Sequence, residues 1–170
     1  MYNGTQTLEE DTSVDPMEFR HTLGSFASGV VIVTAVSEDG EVRGMTANGF
    51  VSVSLDPPLV LVSIGERAKM HGHLMNQSRY GVSILAEDQL DIAQHFAGKP
   101  SETVPSFVWK DGLALIGHAV GHLSCTVVDR HLAGDHTLFI GRVDQLSHAG
   151  GHPLTFHAGK FGVLEKGNNS

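Results

Sequence analysis

This sequence is short of cysteine, tryptophan and basic residues, with one, one and eleven of them among 170 positions. With Cys125 alone, no disulfide can close within the chain, which excludes a disulfide-built scaffold and points to a reducing compartment. Eleven Lys and Arg against nineteen Asp and Glu leave a formal net charge of −8, the wrong sign for nucleic acid or an anionic membrane. No apolar run approaches the ~20 residues of a spanning helix. Residues 1–15 are polar and acidic, unlike the basic and apolar layout of a signal peptide. Hydrophobic residues at 41% and charged residues at 18% fit neither disorder nor a coiled coil. The expectation is a cytoplasmic protein: a loose tail over residues 1–14, then one domain over residues 15–166.

What is present reads mostly as strand. Asp15-Pro16-Met17-Glu18 has the layout of a helix start, with Asp as N-cap and Pro at the first helical position. Phe19, Leu23 and Phe26 then share a face at helical spacing. Val30-Val31-Ile32-Val33-Thr34-Ala35-Val36 is nearly all apolar and β-branched, as a strand buried on both faces should be. Asp39-Gly40 signals a hairpin into a strand at residues 42–45. Val51, Val53 and Leu55 alternate with Ser52 and Ser54, and residues 59–64 read as another doubly buried strand beyond Asp56-Pro57-Pro58. A short helix should carry Met70 and Leu74, a strand residues 80–85, and a second helix Leu90, Ala93 and Phe96, closed by Gly98 and Pro100. Residues 98–117 look irregular. Strands follow at residues 123–127, 137–143 and 161–164, the first two joined by Ala133-Gly134-Asp135. Hairpin-linked strands with two or three short helices predict a mainly β, antiparallel barrel with peripheral helices.

Three segments carry the candidate chemistry. Gly44-Met45-Thr46-Ala47-Asn48-Gly49-Phe50 is small and glycine-rich, so its backbone can approach a flat ligand closely, while Thr46 and Asn48 add polar side chains. A plain strand connection accounts for that segment more simply when it stands alone. Ser63-Ile64-Gly65-Glu66-Arg67-Ala68-Lys69 follows a strand and precedes a helix, and it places two of the eleven cations within three positions. A phosphate cradle and a solvated loop fit it equally. Gly134-Asp135-His136-Thr137 brings a His out of a glycine turn, where it could orient a ligand or carry a proton, although a lone His is more often structural. The eleven histidines form no zinc-type spacing, Cys125 sits in an apolar alternation that reads as buried and inert, and no Rossmann or P-loop fingerprint occurs.

Taken in order, the segments resemble the short-chain flavin reductases, the reductase components of two-component aromatic monooxygenases. The matching stretches are Phe19-Arg20, residues 29–34, 44–50 and 52–60, Ser83-Ile84-Leu85-Ala86 with Gln89, Phe96-Ala97, residues 134–143, and Pro153-Leu154. The resemblance implies a split β-barrel that binds FAD or FMN, takes hydride from NADH (NADPH being the other donor), works as a homodimer, and passes reduced flavin to a separate oxygenase. It implies that Met45, Thr46, Ala47, Asn48, Gly49 and Phe50 run along the isoalloxazine ring, with Ser52 and Val53 nearby. Ser63, Arg67, Ala68 and Lys69 would meet the ribityl and phosphate groups; Phe96, Ala97 and Lys99 would approach the flavin's outer part; His136 would lie on the nicotinamide side. A flavin carrier or sensor without catalysis, on the same barrel, is the alternative. No metal site is expected.

Overall fold

A computed structural model describes residues 13–99 and 101–165. The tail read over residues 1–14 lies outside the described residues except for its last two positions, as do Pro100 and residues 166–170.

The first helix, α1 (Pro16–Gly24), starts where its cap chemistry says it should: the Asp15 carboxylate accepts from the N–H groups of Met17 and Glu18, both at 2.9 Å. After the two-residue β1 (Ser28–Gly29), β2 (Val31–Val36) and β3 (Val42–Ala47) form the expected hairpin, with Gly40 at φ 82° in the turn. β4 (Phe50–Leu55), β5 (Pro58–Gly65), α2 (Lys69–Asn76), β6 (Arg79–Ile84) and α3 (Leu90–Phe96) follow. Next come β7 (Phe107–Lys110), β8 (Leu113–Ile116), the 13-residue strands β9 (Gly121–Ala133) and β10 (His136–His148), β11 (Leu154–His157) and β12 (Lys160–Val163).

Seven strands make one antiparallel sheet in the order β3-β2-β6-β9-β10-β5-β4. Its two edge strands are consecutive in the chain, with only Asn48 and Gly49 between them. If flat, a sheet of that width would set its edges ~29 Å apart at ~4.8 Å per strand, whereas the chain from Ala47 to Phe50 spans at most ~11 Å. The sheet therefore curls until its edges meet. They are not paired with each other, so the barrel is split along the β3–β4 seam.

Inside the barrel, Val31, Val33, Val62, Ile64, Tyr80, Val82 and Phe139 pack together, and Met70 and Leu74 of α2 close the core. Val30, just before β2, and Ile32 within it point outward beneath α3 with Ile92, Ala93, Ile116 and Leu154, which is why β2 is buried from Val31 to Ala35. Cys125 is fully buried, and burial pushes its thiol up to about 12, leaving no thiolate for nucleophilic work.

Four expectations need correction. β5 is not buried on both faces: Val60, Val62 and Ile64 point into the core, while Leu59, Leu61 and Ser63 face an outer side left partly open. On α3 the buried residues are Ile92 and Ala93; Leu90 is 40% exposed. Residues 98–117 contain the β7–β8 hairpin, turned by Asp111 and Gly112 at positive φ. The terminal strand is the second arm of the β11–β12 hairpin, which joins β1 in a separate three-stranded sheet.

Tyr80 is fully buried, and its Oη has no hydrogen-bond partner among the described residues. It stands opposite the Cys125 thiol and lies so close to Gly141 that a Cβ there would overlap it. An unpaired buried hydroxyl costs desolvation without return, so Tyr80→Phe is expected to be neutral or to stabilise by up to about 1–2 kcal/mol. Thermal denaturation checks this; a clear fall in Tm would contradict it.

Candidate functional site: the seam between the barrel edges

The glycine-rich segment occupies the place where the barrel is split. Met45 points inward and packs on the core, as does Phe50 on the far side of the seam. Thr46 points outward and its hydroxyl donates to the Ala93 carbonyl at 2.6 Å, tying the last turn of α3 to β3. Ala47 is buried, whereas Asn48 and Gly49 are exposed. The Gly49 carbonyl accepts from the Ser63 N–H at 2.8 Å, so the connection is pinned to β5. A Cβ at Gly49 would lie 3.4 Å from the Ser63 Cβ, an ordinary contact, so the position does not require glycine. Ser52 and Val53 lie further along the β4 edge, where the pairing with β5 shifts register between Ser52 and Ser54.

Beside this connection opens a cleft of about 310 Å³. Thr46, Ala47 and Asn48 form one side, with Val30 at its floor; Ala97 and Lys99 enter from the end of α3. The opposite side is the β11–β12 hairpin, through Phe156, Gly159 and Phe161. Ala97 and Lys99 reach it because α3 ends at Phe96, where the Lys99 N–H returns to the Gln94 carbonyl at 3.1 Å and Gly98 takes φ 82°. Phe96 does not line the cleft. Its ring lies over Gly44, where an added Cβ would sit 2.5 Å from Cδ1.

The second and third segments meet at the far end of β5. In the β5–β10 pairing, His136 stands opposite Gly65 and Thr137 opposite Ile64, and the Glu66 N–H donates to the Asp135 carbonyl at 3.0 Å. The His136 ring lies against Gly65: a Cβ there would be 3.5 Å from Nε2. Nδ1 of His136 is 2.7 Å from the Asp135 carboxylate. That hydrogen bond, the imidazole's charge when protonated, and the nearby Arg67 guanidinium hold the Asp135 carboxyl below its usual range.

Arg67 precedes the Ala68 N-cap of α2, and Lys69 is the first helical residue. Ala68 supplies no side-chain cap and the first turn holds no acid, so the free N–H groups and the helix dipole favour an anion. Neither Arg67 nor Lys69 forms an ion pair among the described residues, and neither does Lys99. Lys69 also borders Gly44 across a polar hollow of about 610 Å³ beneath α2.

The structure thus gathers Thr46, Ala47, Asn48, Ala97 and Lys99 in one cleft, joins Gly49 to Ser63, and clusters Arg67, Ala68 and Lys69 near His136. Val30, Phe156, Gly159 and Phe161 were not singled out from sequence. Val30 and Phe161 were read only as strand residues, not as cleft residues. Among the described residues no three His, Cys, Asp or Glu side chains gather as metal ligands would, and no helix is long and apolar enough to cross a membrane.

Comparison with known proteins identifies the family and the fold. The model of the flavin reductase like domain matches residues 23–165. An NADH-dependent flavin reductase from a Rhodococcus species is 53% identical over 165 residues, covering 95% of this chain and 94% of that one. Among solved structures, the flavin reductase PheA2 superposes with a TM-score of 0.86 at 44% identity, covering 90% of this chain and all of that one. The styrene monooxygenase flavin reductase from Pseudomonas putida S12 gives 0.82 at 36% identity over 87% of this chain and 97% of that one. With its split barrel and a family match over almost all of the described residues, the chain belongs to the flavin reductase like domain family.

Proposed function

We propose that the chain is an NADH:flavin oxidoreductase that reduces FAD or FMN and releases the reduced flavin to a separate monooxygenase component. The observation that carries this is the cleft at the barrel seam. It has an apolar floor at Val30, backbone from Thr46 to Asn48 along one wall, and Lys99 at its lining, while Arg67 and Lys69 at the start of α2 form no ion pair among the described residues. These features fit a flat, hydrogen-bonding ring with an anionic tail. A bound flavin would supply the two-electron acceptor that no side chain of this protein can provide.

The protein's own residues bind and orient. Met45, Thr46, Ala47, Asn48, Gly49 and Phe50 would set the ring against the seam, with Ser52 and Val53 flanking it on β4. Ser63, Arg67, Ala68 and Lys69 would take the ribityl and phosphate groups, while Ala97 and Lys99 would close the cleft's outer side. Phe96 would act from behind Gly44, by fixing where α3 ends. His136, braced by Asp135 and resting on Gly65, would orient the nicotinamide nucleotide. A cleft this open suits a ligand that must leave. A cytoplasmic location would give it NADH.

A homodimer completes the picture. No residue of α1 is fully buried in its own chain: Phe19 and Leu23 are 55% and 53% exposed, and Phe26 just beyond the helix is 79% exposed. Val51, Val53 and Leu55 on the β4 edge are exposed as well. Such apolar faces call for a second copy; a monomeric mass by sedimentation at micromolar concentration would contradict this.

The defining test is NADH oxidation followed at 340 nm, with cytochrome c reduction reporting flavin release. Oxidation should depend on added FAD or FMN; no oxidation with either flavin would overturn the proposal. His136→Ala is expected to raise the KM for NADH several-fold with little change in flavin affinity. Equal weakening of both ligands in titrations would remove His136 from the nicotinamide side.

A further inference from the structure

We infer that the β11–β12 hairpin forms the second wall of the flavin cleft, with Phe156 and Phe161 covering one face of the flavin ring. This rests on reading the cleft as the flavin site, and it assigns a role to residues 154–163, which lie far in sequence from the seam.

Phe156 and Phe161 are directly opposed across the hairpin, and their rings meet edge to face, with centroids 5.2 Å apart at 63°. One side of the pair packs on the outer core with Ile92, Ala93 and Leu154. The other side lines the cleft opposite Thr46, Ala47 and Asn48. Both rings remain half-buried, apolar surface already ordered and ready to be covered by a ligand.

The hairpin is braced as a wall should be. Ala158 and Gly159 form its two-residue turn with φ of 49° and 77°, the backbone a tight hairpin requires. The Ala158 N–H donates to the Gly24 carbonyl at the end of α1 at 2.8 Å, and β11 pairs with β1 at Ser28 and Gly29. Pro153 bridges Ala86, and the Leu154 N–H donates to the Leu85 carbonyl at 2.9 Å. Gly159, lacking a side chain, leaves the mouth open.

One wall is thus polar backbone and the other is aromatic. A volume of about 310 Å³ lies at the low end of the ~300–1,000 Å³ common for ligand sites. It suits one fused ring and leaves the rest of the nucleotide outside, among the cations.

Riboflavin, FMN and FAD titrated into wild-type protein and into Phe161→Ala, Phe161→Leu and Phe161→Tyr variants test this, with circular dichroism confirming the fold. The Leu variant keeps the apolar packing and removes the ring face. Ala and Leu should each raise the Kd roughly tenfold for all three flavins alike, as loss of a stacking contact does, and Tyr should restore it. An unchanged riboflavin Kd, or a loss confined to FAD, overturns the inference. Lys99→Ala separates the two levels. If it weakens FMN and FAD while the Phe161 variants bind normally, the hairpin wall fails and the cleft stands. If neither position matters, the cleft itself is misassigned and the inference falls with it.

Discussion

Replacing Arg67 and Lys69 together by alanine is expected to weaken FMN binding on the order of 100-fold and to leave riboflavin binding unchanged. Both cations lie at the start of α2, where free N–H groups and the helix dipole already favour an anion. Neither forms an ion pair among the described residues, so their charge is not spent within the fold. The background of −8 means that the bulk charge of the molecule repels a phosphate, so local features must hold it here. A charge-assisted hydrogen bond is worth about 1.5–3 kcal/mol. Both side chains are exposed, so the lower figure applies, and two such losses give the stated factor. The loss should shrink at high salt, because exposed charges are screened. Equal weakening of riboflavin, which lacks the phosphate, would show that the turn holds something other than the anionic tail.

Gly44→Ala should damage flavin binding from behind the site. The new Cβ would lie 2.5 Å from Phe96 Cδ1 and 3.1 Å from Cζ, so the ring has to move. Phe96 is the last residue of α3, and Ala97 and Lys99 enter the cleft directly after it. Overpacking of this kind costs about 1–3 kcal/mol, which in a domain of this size lowers Tm by roughly 2–10 °C. Flavin affinity should fall by a factor on the order of ten through displacement of α3, with no residue touching the ligand changed. Trimming the ring in a Gly44→Ala/Phe96→Leu double variant should recover part of the stability. If Gly44→Ala binds flavin normally and melts normally, the end of α3 does not shape the cleft.

The sequence made local chemistry legible and long-range placement much less so. Asp15-Pro16 announced α1 because capping involves only neighbouring residues, and Asp39-Gly40 announced the β2–β3 hairpin for the same reason. The second Asp-Gly pair, Asp111-Gly112, turns the β7–β8 hairpin. The strands it joins are only four residues each, Phe107–Lys110 and Leu113–Ile116, too short for alternation to stand out in the sequence. The spacing of Phe19, Leu23 and Phe26 pointed to a helix face, but α1 ends at Gly24, so Phe26 lies beyond it, and Phe19 and Leu23 stay about half exposed. On α3, the choice of Leu90 over Ile92 came from periodicity in a helix of seven residues, too short to fix its phase.

The candidate site followed the same rule. The seam from residue 45 to 50 and the cationic turn were visible as composition, and their order along the chain carried the family resemblance. That Gly49 is pinned to Ser63, and that His136 lies over Gly65, depends on strand register across the closed sheet. Phe156 and Phe161 were invisible as cleft residues because their contribution depends on docking a hairpin from the end of the chain beside β3.

The account stands on the barrel seam as the seat of the flavin. The most direct measurement is a crystal structure of the protein soaked with FMN. The ring should lie between the Thr46–Asn48 backbone and the Phe156–Phe161 hairpin, with its phosphate toward Arg67 and Lys69. Ring density elsewhere on the barrel, with this cleft still empty, would contradict the account.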